Sequence, residues 1–131
     1  MNLILRVNYY ILNNMDYFIN SEKYWGNIEY KINFINMTPD KIKKYATQLK
    51  FRIIEGGGKA IYMIGVFDNG KVIGIKNKEV LNCTNIMNKM CHEINATLKS
   101  NKIINLDNEN NLLIFVIENN FNIESIPYLF G

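Results

Sequence analysis

Six basic residues crowd one stretch of this sequence: Lys41, Lys43, Lys44, Lys50, Arg52 and Lys59. Asp40 and Glu55 are the only acids in the helix expected to carry most of them. Cationic side chains that outnumber nearby carboxylates are the electrostatic footprint of a surface that holds phosphates, so these six are the candidate RNA-contacting residues. The ordinary alternative is a solvated helix face. Lys43 and Lys50 would stand about two turns apart on one side of that helix. Other features could do chemistry, and each has a purely structural alternative. Gly56-Gly57-Gly58 could approach a phosphate or end a helix through glycine's freedom at positive φ. Asp68-Asn69-Gly70 offers a carboxylate or simply a hairpin turn. Tyr24 and Trp25 could stack on bases or plug a strand entrance. His92 beside Cys91 supplies too few ligands for a metal centre.

The composition sets bounds on these chemistries. In 131 residues, 48% apolar and 21% charged, there is room for one domain with a core of its own. A net charge of +3 permits nucleic-acid contact without requiring it. One histidine and two cysteines leave too few ligands for a histidine-based metal or catalytic cluster, so neither a metal nor a cofactor is expected. Cys83 and Cys91, read on one helix, would be about 12 Å apart along its axis. A disulfide needs Cα atoms within about 7 Å, so the two are expected to stay free. The methionines read as core filler. No apolar run approaches the roughly 20 residues of a bilayer helix. The start of the chain lacks a small-residue cleavage site, so no signal peptide, no membrane contact and a cytoplasmic location are expected.

The elements that must position these residues follow from periodicity. Residues 28–35 alternate Ile28, Tyr30, Ile32 and Phe34 against polar neighbours, the pattern of a strand with one buried face. Thr38-Pro39-Asp40 then starts a helix by capping, by a preset φ and by charge at the positive dipole end. Ile42, Tyr45, Ala46, Leu49 and Ile53 have helical spacing, and Gly56 to Gly58 stop the helix. Residues 59–67 are apolar on both faces and predict a central strand. A hairpin at Asp68-Asn69-Gly70 returns residues 71–75 as its partner. A second helix is predicted over 78–100, capped by Asn77, with Val80, Leu81, Thr84, Met87, Met90, Cys91, Ile94 and Leu98 on its inner face. Strands at 103–106 and 112–118 flank a turn at 107–111. The order β-α-β-β-α-β-β predicts an α+β two-layer sandwich, a single mixed sheet with two helices on one face. Residues 1–25 read as an N-terminal extension, 26–122 as the domain, and 123–131 as a trailing strand.

Four motifs in order carry a resemblance to a known family: residues 26–31 (GNIEYK), 46–52 (ATQLKFR), 55–62 (EGGGKAIY) and 64–70 (IGVFDNG). Together they resemble the N-terminal domain of the GTP-binding protein 1/2-like translational GTPases, relatives of elongation factors Tu and 1-alpha. The match is close over 26–75, and residues 78–100 agree only as a helix of the expected length. In that family a GTPase domain follows, opened by the fingerprint GxxxxGK[ST]. Residues 123–131 (IESIPYLFG) resemble the strand that leads into that loop, with Gly131 as its first glycine. A second register sets residues 118–125 (ENNFNIES) on the loop itself and puts glutamates at the first-glycine and lysine positions. Neither register supplies a glycine-rich cradle with a lysine for the phosphates, so no P-loop GTP hydrolysis is expected of this chain. The resemblance implies a non-catalytic accessory domain in the setting of translation. Its expected partners are RNA or the ribosome, met through the basic helix, and a GTPase domain or other protein.

The segment also resembles, more distantly, the AlbA-like domain of Schlafen proteins, on Glu29, Lys31, the glycine run and the IGVxDxG hairpin with Asp68. That resemblance implies a metal-dependent RNase as the alternative, with Glu29, Lys31 and Asp68 as its site. The further glutamate expected five residues before Glu29 is Tyr24, so the constellation is incomplete. A protein-docking module that uses the apolar strands is the third alternative.

Overall fold

A helix beginning at Pro39 organises the domain, and its boundaries follow the local chemistry. In this computed structural model, which describes residues 17–19 and 26–120, Thr38 Oγ1 accepts from the Lys41 N–H at 3.2 Å. Pro39 occupies the first helical position of α1 (Pro39–Glu55). At the other end the amides of Gly56, Gly57 and Gly58 donate to the carbonyls of Arg52, Ile54 and Ile53. Gly57 does so at φ +66, the left-handed conformation that helix ends favour.

The other elements, in chain order, are β1 (Tyr17–Phe18), β2 (Ile28–Lys31), β3 (Lys59–Ile64), β4 (Lys71–Val72), β5 (Ile75–Lys76), α2 (Val80–Glu93), β6 (Ala96–Asn105) and β7 (Asn110–Asn119). Five of them form a mixed sheet, ordered β2-β3-β7-β5 with β6 on the free side of β7. Strand β2 runs parallel to β3 from Ile28↔Ile61 to Lys31↔Ile64, and α1 is the crossover between them. The remaining pairings are antiparallel. Separately, β1 pairs with β4 through Tyr17↔Val72 and Phe18↔Lys71. The fold is thus α+β with one mixed sheet and both helices on one face. The helix-side core joins Ala46, Leu49, Ile53, Met87, Met90 and Cys91 to Tyr62, Ile64, Phe115 and Ile117. Alternate residues of the same strands, Met63, Leu112 and Ile114, form a second cluster with Tyr30, Val66, Val72 and Ile19. Strand β3 is central and covered on both faces, as its continuous apolar run predicts.

Three elements differ from expectation. The first strand stops at Lys31 instead of residue 35, because its partner β3 ends at Ile64. The amides of Gly65 and Val66 both close onto the Lys31 carbonyl. Past that point Phe34 swings into the helix-side core, whereas Ile32 is 44% exposed. The hairpin after Phe67 turns as predicted, with the Gly70 amide donating to the Phe67 carbonyl and the Phe67 amide to the Lys71 carbonyl, but it does not continue as a two-stranded ribbon. Only Val66 and Val72 form a bridge. Gly74, at φ +82, then diverts the chain so that Ile75–Lys76 pairs with Asn110–Asn111 of β7.

The third difference is the largest. The second helix ends at Glu93, not at residue 100, and Ala96–Asn105 is a single long strand. Asn95 adopts φ +55 and turns the chain, and its carbonyl accepts from the Asn120 amide. Leu98 therefore lies opposite Ile117 in the sheet and not on a helix face. A spacing of four, as between Ile94 and Leu98, satisfies a helical and a strand period alike, and pairing with β7 decides between them. Asn77 does not cap α2. It begins a 3-10 turn (Asn77–Glu79), where its Nδ2 donates to the Asn108 carbonyl and its Oδ1 accepts from Asn111 Nδ2 at 2.6 Å.

Candidate functional site

The six basic candidates do not share one surface. Helical geometry advances about 100° per residue, so Lys41 and Lys43 face nearly opposite sides of α1, with Lys44 between them. All three are exposed and form no ion pair among the described residues. Lys50 is half-buried and on the same side as Lys43. Lys59, at the start of β3, is exposed and reaches Glu118 Oε1 at 3.1 Å, while Lys99 approaches the other oxygen at 3.6 Å. The hydrogen bond from Lys59 is the main cause that holds the Glu118 carboxyl below its ordinary pKa.

Arg52 points the other way. Only 8% exposed, it lies against Glu29, itself 9% exposed. Its Nε donates to Glu29 Oε2 at 2.6 Å, and its Nη1 donates to the Gly26 carbonyl at 2.9 Å. The Gly26 amide in turn donates to Glu55 Oε2. The last turn of α1 therefore clamps the entry to β2 by both backbone groups of one residue. Lys31 completes the cluster. Its ammonium is 3.4 Å from Glu29 Oε1, donates to Gln48 Oε1 at 3.1 Å, and rests 4.2 Å from the centre of the Tyr45 ring. A carboxylate held by two cations in so dry a place is a fixed part of the structure's charge balance.

The three residues implied by the Schlafen resemblance are thus split. Glu29 and Lys31 are brought together, whereas Asp68 lies exposed on the turn after Phe67, beside Asn69 and Lys71. Among the described residues, no three histidine, cysteine, aspartate or glutamate side chains gather at a spacing that could hold a metal ion. Cys91 and His92 part company on α2: Cys91 turns inward, and burial pushes its thiol up to about 11, while His92 faces solvent. The pKa of Cys83, also free and buried, is raised mainly by burial and partly lowered by a hydrogen bond from the Phe34 backbone. Tyr24, Trp25 and residues 123–131 lie outside the described residues.

A surface that sequence reasoning missed lies where the N-terminal half of α1 meets the end of α2. A groove of about 460 Å³ runs between them, with Lys43 on one wall and Lys89 and His92 on the other. The signal available in the sequence was the i, i+3 spacing of Lys89 and His92 on the polar side of α2. Which helix they would face was not legible locally.

Among the described residues, no helix is long and apolar enough to cross a membrane. No protein-family profile and no solved structure matches the chain. Over 73 residues, 56% of the chain, it is 36% identical to GTP-binding protein 2 of Mus musculus and, equally, of Homo sapiens. It is 35% identical over 83 residues, 63% of its length, to uncharacterized protein R625 of Acanthamoeba polyphaga mimivirus. The chain spans 12% of GTP-binding protein 2 and 45% of R625. The expected relation to a GTP-binding protein is therefore present as a shared segment. None of these relatives is described as a Schlafen protein, so the more distant resemblance gains no support from them.

Proposed function

We propose that this chain is a non-catalytic accessory domain, akin to a segment of GTP-binding protein 2, that contacts RNA and does not hydrolyse GTP itself. The carrying observation is the likeness to a short segment of a much larger GTP-binding protein. Two features support it. The fingerprint GxxxxGK[ST] occurs nowhere in the 131 residues. The carboxylate that an RNase would need, Glu29, is already bound to Arg52 and Lys31. The exposed lysines of α1 supply the charge for sequence-independent phosphate contact, and the setting is translation, on the ribosome or beside a GTPase domain.

The test combines the purified chain with labelled tRNA and a short hairpin RNA, in Mn²⁺ or EDTA, at low and moderate salt. A fluorescent GTP analogue is titrated in parallel. Salt-sensitive retardation of whole RNA, with no nucleotide binding, is the expected result. Cleavage that needs Mn²⁺ and disappears in Asp68→Ala would replace this function with that of a nuclease. RNA that runs free and whole in every lane would remove the RNA contact.

A further inference from the structure

The groove between α1 and α2 has a composition that neither helix shows alone. Pro39 and Ile42 form an apolar floor, and Lys43 stands on the α1 wall. Facing them on α2, Asn88, Lys89 and His92 present an amide, an ammonium and an imidazole, with Glu93 as the single carboxylate. Lys43, Asn88, Lys89 and His92 are all exposed, and no described residue pairs with either lysine ammonium. Two cations and two neutral hydrogen-bonding groups against one acid complement an anion that also offers polar edges. The volume of about 460 Å³ falls in the roughly 300–1,000 Å³ range of small-ligand sites, a size suited to a nucleotide unit. A helical peptide is a poorer match: such peptides dock through apolar anchors at i, i+3 or i+4, and i+7, and the floor has only two apolar side chains.

We infer that this groove receives single-stranded RNA, with Lys43 and Lys89 on successive phosphates and a base or ribose over Pro39 and Ile42. Asn88 and His92 hydrogen-bond the base edge or the sugar. This assignment rests on the RNA-contacting function proposed above and specifies its site. It uses one of the six basic residues singled out in the sequence, adds Lys89 and His92, and excludes Arg52, whose guanidinium is committed to Glu29.

The experiment is fluorescence anisotropy of a labelled single-stranded 12-nucleotide RNA with the full 131-residue chain. Lys43→Glu, Lys89→Glu and the milder Lys89→Gln are compared with Lys71→Glu and Lys102→Glu, exposed lysines on β4 and β6 away from the groove. Circular dichroism confirms that each variant is folded. The groove reversals are expected to weaken binding at least tenfold and Lys89→Gln severalfold, with a shallower salt dependence. The two reversals outside the groove stay within about twofold of the parent, since a long-range charge effect alone is small at moderate salt. Equal losses at all four sites would overturn the groove assignment and leave only diffuse attraction. So would displacement of the RNA by an acidic peptide of equal charge with the same dependence on Lys43 and Lys89, which would make the occupant a protein. RNA that never binds the parent chain refutes the underlying function instead.

Discussion

Replacing Arg52 with methionine removes a guanidinium that bridges a buried carboxylate and the entry to β2, and the structure sets the size of the effect. The side chains of Arg52 and Glu29 are only 10% and 11% exposed, so bulk water cannot take over the lost bonds without local opening. Removing one member of such a pair typically costs about 3–5 kcal/mol. Lys31 remains 3.4 Å from Glu29, which places the expected loss near the lower end, about 3 kcal/mol. With a urea m-value of about 2 kcal/mol/M, the unfolding midpoint would fall by about 1.5 M. Replacing both partners, Glu29→Leu with Arg52→Met, removes the buried pair together and leaves Lys31 only Gln48 and the Tyr45 ring, so a loss of about 1–2 kcal/mol is expected, smaller than that of Arg52→Met alone. The double-mutant cycle should return a coupling of about 2 kcal/mol or more. Urea titrations followed by circular dichroism on the four proteins measure all of this. An Arg52→Met chain within about 0.5 kcal/mol of the parent would refute the claim that this pair fastens α1 to β2.

Gly57→Ala and Gly65→Ala separate conformational strain from steric conflict. Both glycines have positive φ, but a Cβ at 57 meets open space, whereas one at 65 would lie 2.8 Å from Gly74 Cα. About 1 kcal/mol is expected at 57 and at least about 2 kcal/mol at 65, and equal losses in thermal or urea unfolding would contradict the packing of Gly65 on Gly74. Cys83 and Cys91 should resist a thiol reagent at pH 8 until urea unfolds the chain, and rapid labelling of the native protein would show that α2 does not bury them. Because the Cys91 pKa rises from 9.0 to about 11, its contribution to stability is complete below pH 9.0 and is lost as pH rises from there towards 11. Unfolding midpoints measured across that range should fall in the parent more than in Cys91→Ala. In the turn between β6 and β7, hydrogen bonds from the Glu109 and Asn110 amides lower the Asp107 carboxyl below 3.8. Its stabilising share is present above that value and fades as pH falls through the lowered one, so NMR should show the two amide signals titrating with a midpoint under 3.8.

Much of the fold was legible where the deciding interactions are local. Thr38, Pro39 and Asp40 start α1 through contacts within one turn, and Gly56 to Gly58 end it by conformational freedom, so both boundaries were legible from residue types alone. The continuous apolar run of β3 likewise announced a strand covered on both faces. The free state of the two cysteines followed from helical rise.

Other features were decided by partners far along the chain. The spacing of Ile94 and Leu98 extends the predicted second helix to residue 100, where the structure has a strand. The outcome was set by a long antiparallel ladder with β7, interrupted only by a register shift at Lys99, whose backbone bonds a lone extra helical turn could not match. The split of the predicted return strand into β4 and β5 depended on β7 reaching Gly74 from the other end of the chain. At the candidate site, the number of lysines and their order along α1 belong to the sequence, and so does the capacity to attract phosphate. Where each charge points does not. Arg52 was counted among the exposed cations because nothing within α1 distinguishes it from Lys50. Only the parallel docking of β2 against β3 brings Glu29 beneath its guanidinium and turns a surface charge into a buried bond. The groove with Lys89 and His92 exists for the same reason: two helices that are separate in sequence pack side by side on one sheet, and the space between them is a property of that packing alone.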